Sequence, residues 1–144
     1  MVMATLAETP RRTILLVEDE PRVRRLIKRI LSTERAKILT ADGGAQALQI
    51  LARTAVDLVI LDVRLPDMRG TEVLRRLRDI DADLAVIMVT GYGSAGSVRA
   101  AMELGAFDYL TKPFSNEEMS RVVREALASR RVGPIRGAVS LTHD

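Results

Sequence analysis

The chain has 144 residues and a formal net charge of +3, and 47% of its residues are apolar, which is enough for the core of one globular domain. It contains no Cys, which excludes a disulfide framework, a thiol nucleophile and a Cys-based zinc site. Its single His, His143, lies one residue from the end, which argues against a His-based triad and a His-rich metal site. Residues 13–128 are neutral and Arg alternates with acids along the predicted helices, so we expect no direct nucleic acid binding.

No segment resembles a secretory signal or a membrane span. Residues 1–10 lack a continuous apolar stretch, and the longest apolar run, residues 84–89, is far too short to cross a bilayer. We therefore expect a cytoplasmic protein without a membrane partner, and the absence of Cys agrees with a reducing compartment. Residues 1–12 predict a flexible N-terminal extension, residues 13–129 one domain, and residues 130–144 a flexible tail or the start of a linker.

The chain begins its ordered pattern with an aliphatic run over residues 13–17, which predicts a strand. Pro21 follows and suits the first turn of a helix. The apolar stripe of this predicted helix consists of Val23, Leu26, Ile27, Ile30 and Leu31. Residues 37–41 then predict a second short strand, which ends at Gly43 and Gly44.

The middle of the chain repeats the alternation. Residues 45–53 are rich in Ala and Leu and predict a helix. Residues 58–61 form a continuous apolar run, as expected of a strand that is buried on both faces. Helical spacing returns over residues 71–78, and residues 84–89 predict the next buried strand.

The last third of the pattern predicts two more helices around a short strand over residues 107–110. The first of these helices has only a weak stripe of Val98, Ala101, Met102 and Gly105. Ser115 can cap the second helix, whose stripe consists of Met119, Val122, Val123, Ala126 and Leu127. Five strands that alternate with five helices predict an α/β fold, a doubly wound parallel sheet with helices on both faces.

Each of four polar clusters directly follows a predicted strand. Glu18, Asp19 and Glu20 follow the first strand, Asp62 the third, Thr90 the fourth and Lys112 the fifth. Ligands of open parallel sheets bind at the carboxyl ends of the strands, near the point where the strand order reverses. In a 2-1-3-4-5 order, the first and third strands flank that point, so Asp19 and Asp62 would face each other across it.

Three carboxylates brought within a few Å require a cation, because two unit charges 4 Å apart repel by about 4 kcal/mol at an effective dielectric constant of 20. Lys112 supplies one positive charge. Mg²⁺, with Mn²⁺ as a substitute, suits carboxylates, water and a phosphate oxygen. A carboxylate beside Mg²⁺ can act as a nucleophile and form an aspartyl-phosphate. Taken singly, these residues would be helix caps, turn residues or solvated charges, and only their shared edge favours a site.

These segments resemble the receiver domain of two-component response regulators. The resemblance covers about residues 12–128 and rests on residues 14–20, 61–70, 89–93 and 105–114. The last segments are similar to receivers of sigma-54-type (NtrC-like) regulators. The family implies a flavodoxin-like, CheY-like fold, a five-stranded parallel sheet of order 2-1-3-4-5 with five helices. This order is taken from known doubly wound folds.

The resemblance also implies roles for individual residues. Asp62 is expected to be the phospho-acceptor, with Thr90 binding the phosphoryl group and Lys112 pairing with it. Mg²⁺ is expected on Asp19, Asp62 and the backbone carbonyl of Arg64. Glu18 stands where the family usually has Asp, so it reaches the metal either directly or through water.

The switch and its regulation follow from the same resemblance. Thr90 is expected to couple to the aromatic switch residue Tyr109. Arg64 and Tyr92 are expected to tune autodephosphorylation, because Gly91 leaves space for water. The Lys112–Pro113 bond is expected to be cis, since cis costs little only before proline.

The resemblance implies a histidine kinase or phosphotransfer protein as phosphodonor. It also implies a homodimer that forms through the fourth helix, fifth strand and fifth helix. The only reactions that the domain is expected to catalyse are its own phosphorylation and dephosphorylation.

Two alternatives remain at this point. A phosphatase of the haloacid-dehalogenase type uses Asp, Thr, Lys and Mg²⁺ but needs a second Asp where Arg64 stands. A phosphorylation-independent interaction module would not need the acceptor and metal-ligand set. Whether the chain is a stand-alone receiver or part of a longer regulator is left open by the sequence.

Overall fold

The computed structural model of the protein describes residues 11–91 and 95–130. The strands are β1 (Arg12–Val17), β2 (Ala36–Ala41), β3 (Leu58–Asp62), β4 (Ala85–Thr90) and β5 (Asp108–Thr111). The α-helices are α1 (Pro21–Ile30), α2 (Gly44–Arg53), α3 (Gly70–Ile80), α4 (Ala95–Glu103) and α5 (Asn116–Arg130). A 3₁₀ turn over Leu31–Thr33 follows α1. The predicted alternation is confirmed, and the expected extension and tail lie almost wholly outside the described residues.

The five strands form one parallel sheet in the order β2-β1-β3-β4-β5, as expected. β1 and β3 are neighbours in the sheet although β2 separates them in the chain, so the strand order reverses between them. Their ends are level, because Val17 pairs with Leu61, and Asp62 in turn pairs with Val89. The polar residues after these strands therefore start from the same edge of the sheet.

Alternate strand residues supply two cores, one on each face of the sheet. The first core packs Leu15, Val17, Val59, Leu61, Val86 and Met88 against Ala47 and Leu51 of α2 and Val73, Leu74 and Leu77 of α3. The second packs Ile14, Leu16, Leu58, Ile60, Ile87 and Val89 against Ile27 and Ile30 of α1 and Met119, Val122 and Val123 of α5. Burial on both faces explains why β3 and β4 are continuous apolar runs.

Two predicted helix starts are confirmed. Pro21 occupies the first turn of α1, where a missing N–H costs nothing. Ser115 caps α5, because its hydroxyl oxygen accepts a hydrogen bond from the Glu118 N–H at 2.9 Å, and its carbonyl oxygen accepts from the Met119 N–H at 3.1 Å.

Four predicted stripe positions are wrong. Leu26 is 44% exposed, because the face of α1 that meets the sheet is centred on Ile27 and Ile30. Val98 and Met102 are 36% and 48% exposed, so the weak stripe of α4 does not pack as a stripe. Gly105 lies beyond the end of α4 with a φ of 80°, a left-handed conformation that favours glycine.

The charge pattern predicted for the helices is wrong for α1. This helix carries five basic residues and no acid, and four of them, Arg22, Arg25, Lys28 and Arg29, are exposed. None of these four forms an ion pair with another described residue. The neutral average over residues 13–128 therefore conceals one strongly basic face, and the expected lack of nucleic acid binding stays a prediction.

None of the helices described in the structure is both long enough and apolar enough to span a bilayer.

Candidate functional site

Four strands deliver the candidate residues to the carboxyl edge of the sheet. Glu18 follows the last residue of β1, Asp62 and Thr90 end β3 and β4, and Lys112 follows β5. Backbone hydrogen bonds continue between neighbouring strands at this edge, since Val63 N–H donates to the Val89 carbonyl at 3.0 Å and Lys112 N–H donates to the Thr90 carbonyl at 2.7 Å. The sheet's hydrogen bonding thus positions the backbone of the predicted site residues.

Lys112 lies between the acidic residues. Its Nζ is 3.2 Å from Glu18 Oε1 and 3.2 Å from Asp62 Oδ2. Glu20 Oε1 is 4.0 Å away. The side chains of Glu18 and Asp62 are almost fully buried, whereas Glu20 is exposed. Lys112 is therefore the cation that partly neutralises two buried carboxylates.

Glu18, Asp19 and Asp62 can each offer a carboxylate oxygen such that the three atoms lie within 4.8 Å of one another. Glu18 and Asp62 form the buried side of this cluster, and Asp19 is exposed. One ammonium group faces three carboxylates, so the cluster keeps an excess of negative charge. All-oxygen ligands on a partly open edge suit a hard divalent cation such as Mg²⁺.

The buried charges shift one another's pKa. Burial, and then repulsion from Asp62, raises the pKa of Glu18 from 4.5 to about 7, although the Glu20 N–H and Lys112 lower it. For Lys112, burial alone would lower the pKa, but attraction to Asp62 and Glu18 raises it above its usual value. Lys112 is thus held in its charged form, and Glu18 is hard to ionise without a further cation.

Backbone N–H groups bind the carboxylate oxygens of Glu18 and Asp62 that do not contact Lys112. Asp62 Oδ1 accepts a hydrogen bond from the Arg64 N–H at 3.1 Å, and Glu18 Oε2 accepts one from the Glu20 N–H at 3.1 Å. Arg24 of α1 also donates to the Glu18 carbonyl at 2.8 Å. Both oxygens of Glu18 therefore have a donor within the protein, one on Lys112 and one on the backbone.

Thr90 and Tyr109 occupy adjoining strands on the far side of Asp62. Thr90 is buried, and the ring of Tyr109 packs against the first core. The Tyr109 hydroxyl oxygen is buried, and no described residue gives it a hydrogen bond of normal geometry. Burial raises the pKa of Tyr109, the Ser97 side chain partly offsets this, and Asp62 raises it further. The Tyr109 hydroxyl therefore points into the protein. Tyr92 lies outside the described residues.

Comparison with known proteins identifies the family. Residues 14–124 match the family described as the response regulator receiver domain. The chain belongs to this family.

Relatives of the receiver domain agree with this assignment. Sporulation initiation phosphotransferase F of Bacillus subtilis is 36% identical over 114 residues, which cover 79% of this chain and 92% of that protein. The C4-dicarboxylate transport transcriptional regulatory protein DctD of Pseudomonas aeruginosa is 36% identical over 119 residues. They cover 83% of this chain but 26% of that protein, so the chain spans about a quarter of DctD. The predicted similarity to receivers of sigma-54-type regulators is confirmed.

A solved receiver structure has the same fold. The signal receiver domain of a putative Luxo repressor protein from Vibrio parahaemolyticus superposes with a TM-score of 0.83 at 31% sequence identity, covering 88% of this chain and 97% of that chain. The flavodoxin-like, CheY-like architecture is therefore confirmed. Receiver domains belong to two-component, phosphorylation-based signal transduction and are in general signalling modules, which disfavours the phosphatase alternative.

The structure also shows residues of the receiver domain that the sequence analysis missed. A Cβ on Gly70 would lie 2.2 Å from the Asp62 carbonyl oxygen, so only glycine fits beside the end of β3. Asp67 accepts hydrogen bonds from the first two N–H groups of α2. Both residues stand in the turn cluster after Asp62, but nothing local in the sequence indicates contacts that packing creates.

The expected cis bond between Lys112 and Pro113 is confirmed.

Proposed function

We propose that the chain is a phosphoryl-accepting receiver in which Mg²⁺-dependent phosphorylation of Asp62 changes the surface formed by α4, β5 and α5. The donor is a histidine kinase or a phosphotransfer protein, which the chain meets in the cytoplasm. The observation that supports this best is Lys112 Nζ at 3.2 Å from both Glu18 and Asp62, beside three clustered carboxylates. We assign the receiver to residues 13–129.

The residues at the edge fit a magnesium ion. Asp19, Asp62 and the backbone carbonyl of Arg64 would hold Mg²⁺, or Mn²⁺ in its place, with Glu18 supporting them directly or through water. When bound, the ion supplies positive charge that neutralises the phosphoryl oxygens. Both oxygens of Glu18 and both oxygens of Asp62 already accept hydrogen bonds from Lys112 or the backbone, so a bound ion would share these oxygens with those donors.

In the proposed transfer, an Asp62 oxygen forms a bond to phosphorus while the bond from phosphorus to the donor's histidine nitrogen breaks. The electron pair of the broken bond stays with the histidine. Lys112 pairs with the transferred phosphoryl group, and the Thr90 hydroxyl donates a hydrogen bond to one of its oxygens. A small donor such as acetyl phosphate would replace histidine with acetate as the leaving group.

The proposed output uses the weak packing of α4. Ala101 is the only described side chain of this helix that is fully buried in the core. An element held by so few contacts can adopt two arrangements that differ by a few kcal/mol. Movement of Thr90 toward the phosphoryl group, coupled to Tyr109 on the neighbouring strand, would favour one of them.

We propose that the activated face pairs with a second copy of the chain. The face carries charges of both signs, which suit a self-complementary two-fold contact. They are Arg99, Glu103, Asp108, Glu118, Arg121 and Arg124. Arg121 is already paired with Glu125, and Arg124 with Glu34, so these two cations would have to exchange partners.

The first test is intact-mass spectrometry after incubation with acetyl phosphate and Mg²⁺. Wild type should gain one phosphoryl group, and Asp62→Asn should gain none. Asp79→Asn, an exposed position on α3, is the matched control and should keep the adduct. An adduct of unchanged yield in Asp62→Asn, or no adduct in wild type, contradicts the proposal.

A second test concerns the phosphoryl lifetime. Arg64 and Tyr92 flank the acceptor in the sequence, and a Cβ on Gly91 would meet no described atom within 4 Å, so water can approach there. Arg64→Ala and Tyr92→Ala should each change the autodephosphorylation rate while leaving the melting temperature nearly unchanged. Equal lifetimes in both variants and wild type would remove these residues from the mechanism.

A further inference from the structure

The loop over residues 63–69, between β3 and α3, is closed at its base. Gly70 N–H donates to the Val63 carbonyl at 2.7 Å, and Arg64 and Arg69 form an antiparallel bridge. Both contacts lie next to Asp62. The base of the loop is therefore tied to the strand that carries the acceptor.

The tip of this loop is tied to a different element. Asp67 Oδ1 accepts a hydrogen bond from the Gly44 N–H at 2.8 Å, and Asp67 Oδ2 accepts one from the Ala45 N–H at 2.9 Å. Gly44 and Ala45 are the first two residues of α2, and their N–H groups have no hydrogen-bond partner inside the helix. The two N–H groups also lower the pKa of Asp67, so the carboxylate stays charged beside the positive end of the helix.

Two consecutive glycines make room for this contact. A Cβ on Gly43 would lie 3.0 Å from Asp67 Oδ1. A Cβ on Gly44 would lie 2.5 Å from Cγ of Met68 and 2.7 Å from a methyl group of Val73. The glycine pair that ends the second predicted strand is therefore needed because the loop packs against the start of α2.

The same contact borders the proposed metal site. A cavity of about 430 Å³ at this edge is lined by Asp19, Asp42, Gly43, Gln46 and Asp67, among others. Asp19 thus lines the same cavity as residues at the start of α2. If Asp67 were absent, two N–H donors and the positive end of α2 would be open to that cavity, and they would attract the nearest carboxylate.

We infer that Asp67 is a positioning residue for cation binding at the acceptor site. It holds the loop that carries the Arg64 carbonyl, and it occupies the N–H groups of α2 so that Asp19 remains available to the cation. This inference rests on the proposed function, because it assumes that the carboxylate cluster binds Mg²⁺.

Isothermal titration of the full chain with Mg²⁺ tests the inference. Asp67→Ala should raise the dissociation constant about tenfold, the effect typical of residues that orient metal ligands. Asp67→Asn keeps one acceptor oxygen for α2 and should give an intermediate value.

Two controls isolate the positioning role. Asp42→Ala removes the same charge from the same cavity without touching the loop, and should change the constant by no more than about twofold, as a screened surface charge does. Val56→Ala destabilises the opposite edge of the sheet and should leave Mg²⁺ affinity unchanged at a temperature where all variants are folded.

The outcomes separate the inference from the function it rests on. If wild type does not bind Mg²⁺, the proposed function fails. If wild type binds and Asp67→Ala binds equally well, the inference is overturned and the function stands. If Asp67→Ala and either control weaken Mg²⁺ binding equally, the inference is also overturned. Loss of charge or general destabilisation would then be enough to explain the weaker binding. Faster amide exchange at Gly44 and Ala45 in Asp67→Ala is expected alongside the weaker binding.

Discussion

Burial changes the properties of individual residues at the carboxyl edge of the sheet. Glu18 and Asp62 are ordinary carboxylates in the sequence, but in the fold they share one ammonium group and repel each other. Such a site is less stable without a cation than with one, since a ligand that binds only the folded state stabilises it. Added Mg²⁺ should therefore raise the melting temperature of wild type.

Asp62→Asn should leave the metal-free protein as stable as wild type or more stable. The change removes repulsion with Glu18 and Asp19 and loses one attraction to Lys112. The same change should lower the pKa of Glu18, because Asp62 is one cause of its rise. Thermal melts in EDTA and carboxyl NMR titration measure the two effects. A clear drop in the melting temperature would contradict the repulsive cluster.

The metal-free protein should lose stability as the pH rises from about 4.5 to 7. Glu18 has a folded-state pKa of about 7 against 4.5 as its ordinary value, so the folded state binds more protons than the unfolded state in this range. The stabilisation that comes from protonated Glu18 is complete below pH 4.5 and is lost as the pH rises through about 7. Urea unfolding in EDTA at several pH values gives the slope. Glu18→Gln should flatten this slope, whereas Glu20→Gln, at an exposed position, should not.

Gly70→Ala and Gly91→Ala should differ sharply. At Gly70 the new methyl group would lie 2.2 Å from the Asp62 carbonyl oxygen and 2.8 Å from Cα of Val63, so the backbone must move. We expect a loss of roughly 1–3 kcal/mol and slower phosphorylation, as for an overpacked core site. At Gly91 no described atom lies within 4 Å, and the change should be nearly silent. Chemical denaturation compares the two, and equal stabilities would contradict the close approach.

At the scale of elements, one side chain joins three segments. Arg78, near the end of α3, donates to the carbonyl oxygens of Leu84 at 2.7 Å, Leu104 at 2.7 Å and Gly105 at 2.8 Å. The first carbonyl precedes β4, and the other two follow α4. Arg78 therefore fixes the end of α4, the helix with little buried surface of its own.

Arg78→Lys should be costly although the charge is kept. A single ammonium group cannot reproduce the planar fork that meets three carbonyl groups, and we expect a loss of roughly 1–3 kcal/mol in the free energy of unfolding. Arg75→Lys on the same helix is the matched control, because Arg75 is exposed and pairs only with Glu72 among the described residues. Its effect should stay below about 1 kcal/mol. Similar losses in both variants would show that Arg78 is not an anchor.

For the whole molecule, the proposed output surface lies beside the proposed acceptor. α4 and α5 lie on opposite faces of the sheet and flank β5 from its two sides, and Thr90 ends the strand beside β5. Val98 and Met102 expose apolar surface on α4. This arrangement favours an output surface along β5, the outermost strand of the sheet, close to the proposed acceptor in space and open to a partner.

Addition of beryllofluoride, a phosphoryl mimic, should increase the scattering mass of wild type and shift NMR signals mainly within residues 95–128. Met102→Glu should prevent the increase in mass. Ile80→Glu is the matched control, because Ile80 on α3 is 47% exposed against 48% for Met102 and lies away from this surface. If the mass stays monomeric at high concentration and the shifts avoid residues 95–128, the surface is not the output.

Much of the fold and the site could be predicted because the signals are local. Continuous apolar runs and helical spacing depend on neighbouring residues, and they correctly placed five strands, five helices and the cap at Ser115. The position of Asp62, Thr90 and Lys112 at strand ends was enough to place them on one edge, because parallel strands all end on the same side.

Tertiary packing decided the rest. Asp67 meets α2 across 22 and 23 residues of chain, and Arg78 meets the end of α4 across 26 and 27, so no local pattern could indicate either contact. Leu26 has the spacing of a core residue but is exposed, because packing against the sheet covers only the part of the apolar stripe centred on Ile27 and Ile30. The sequence by itself determined which groups reach the carboxyl edge of the sheet, since strand ends are set by local periodicity. Their burial, their shifted pKa values and the contacts that hold the loop after Asp62 exist only once distant segments are packed together.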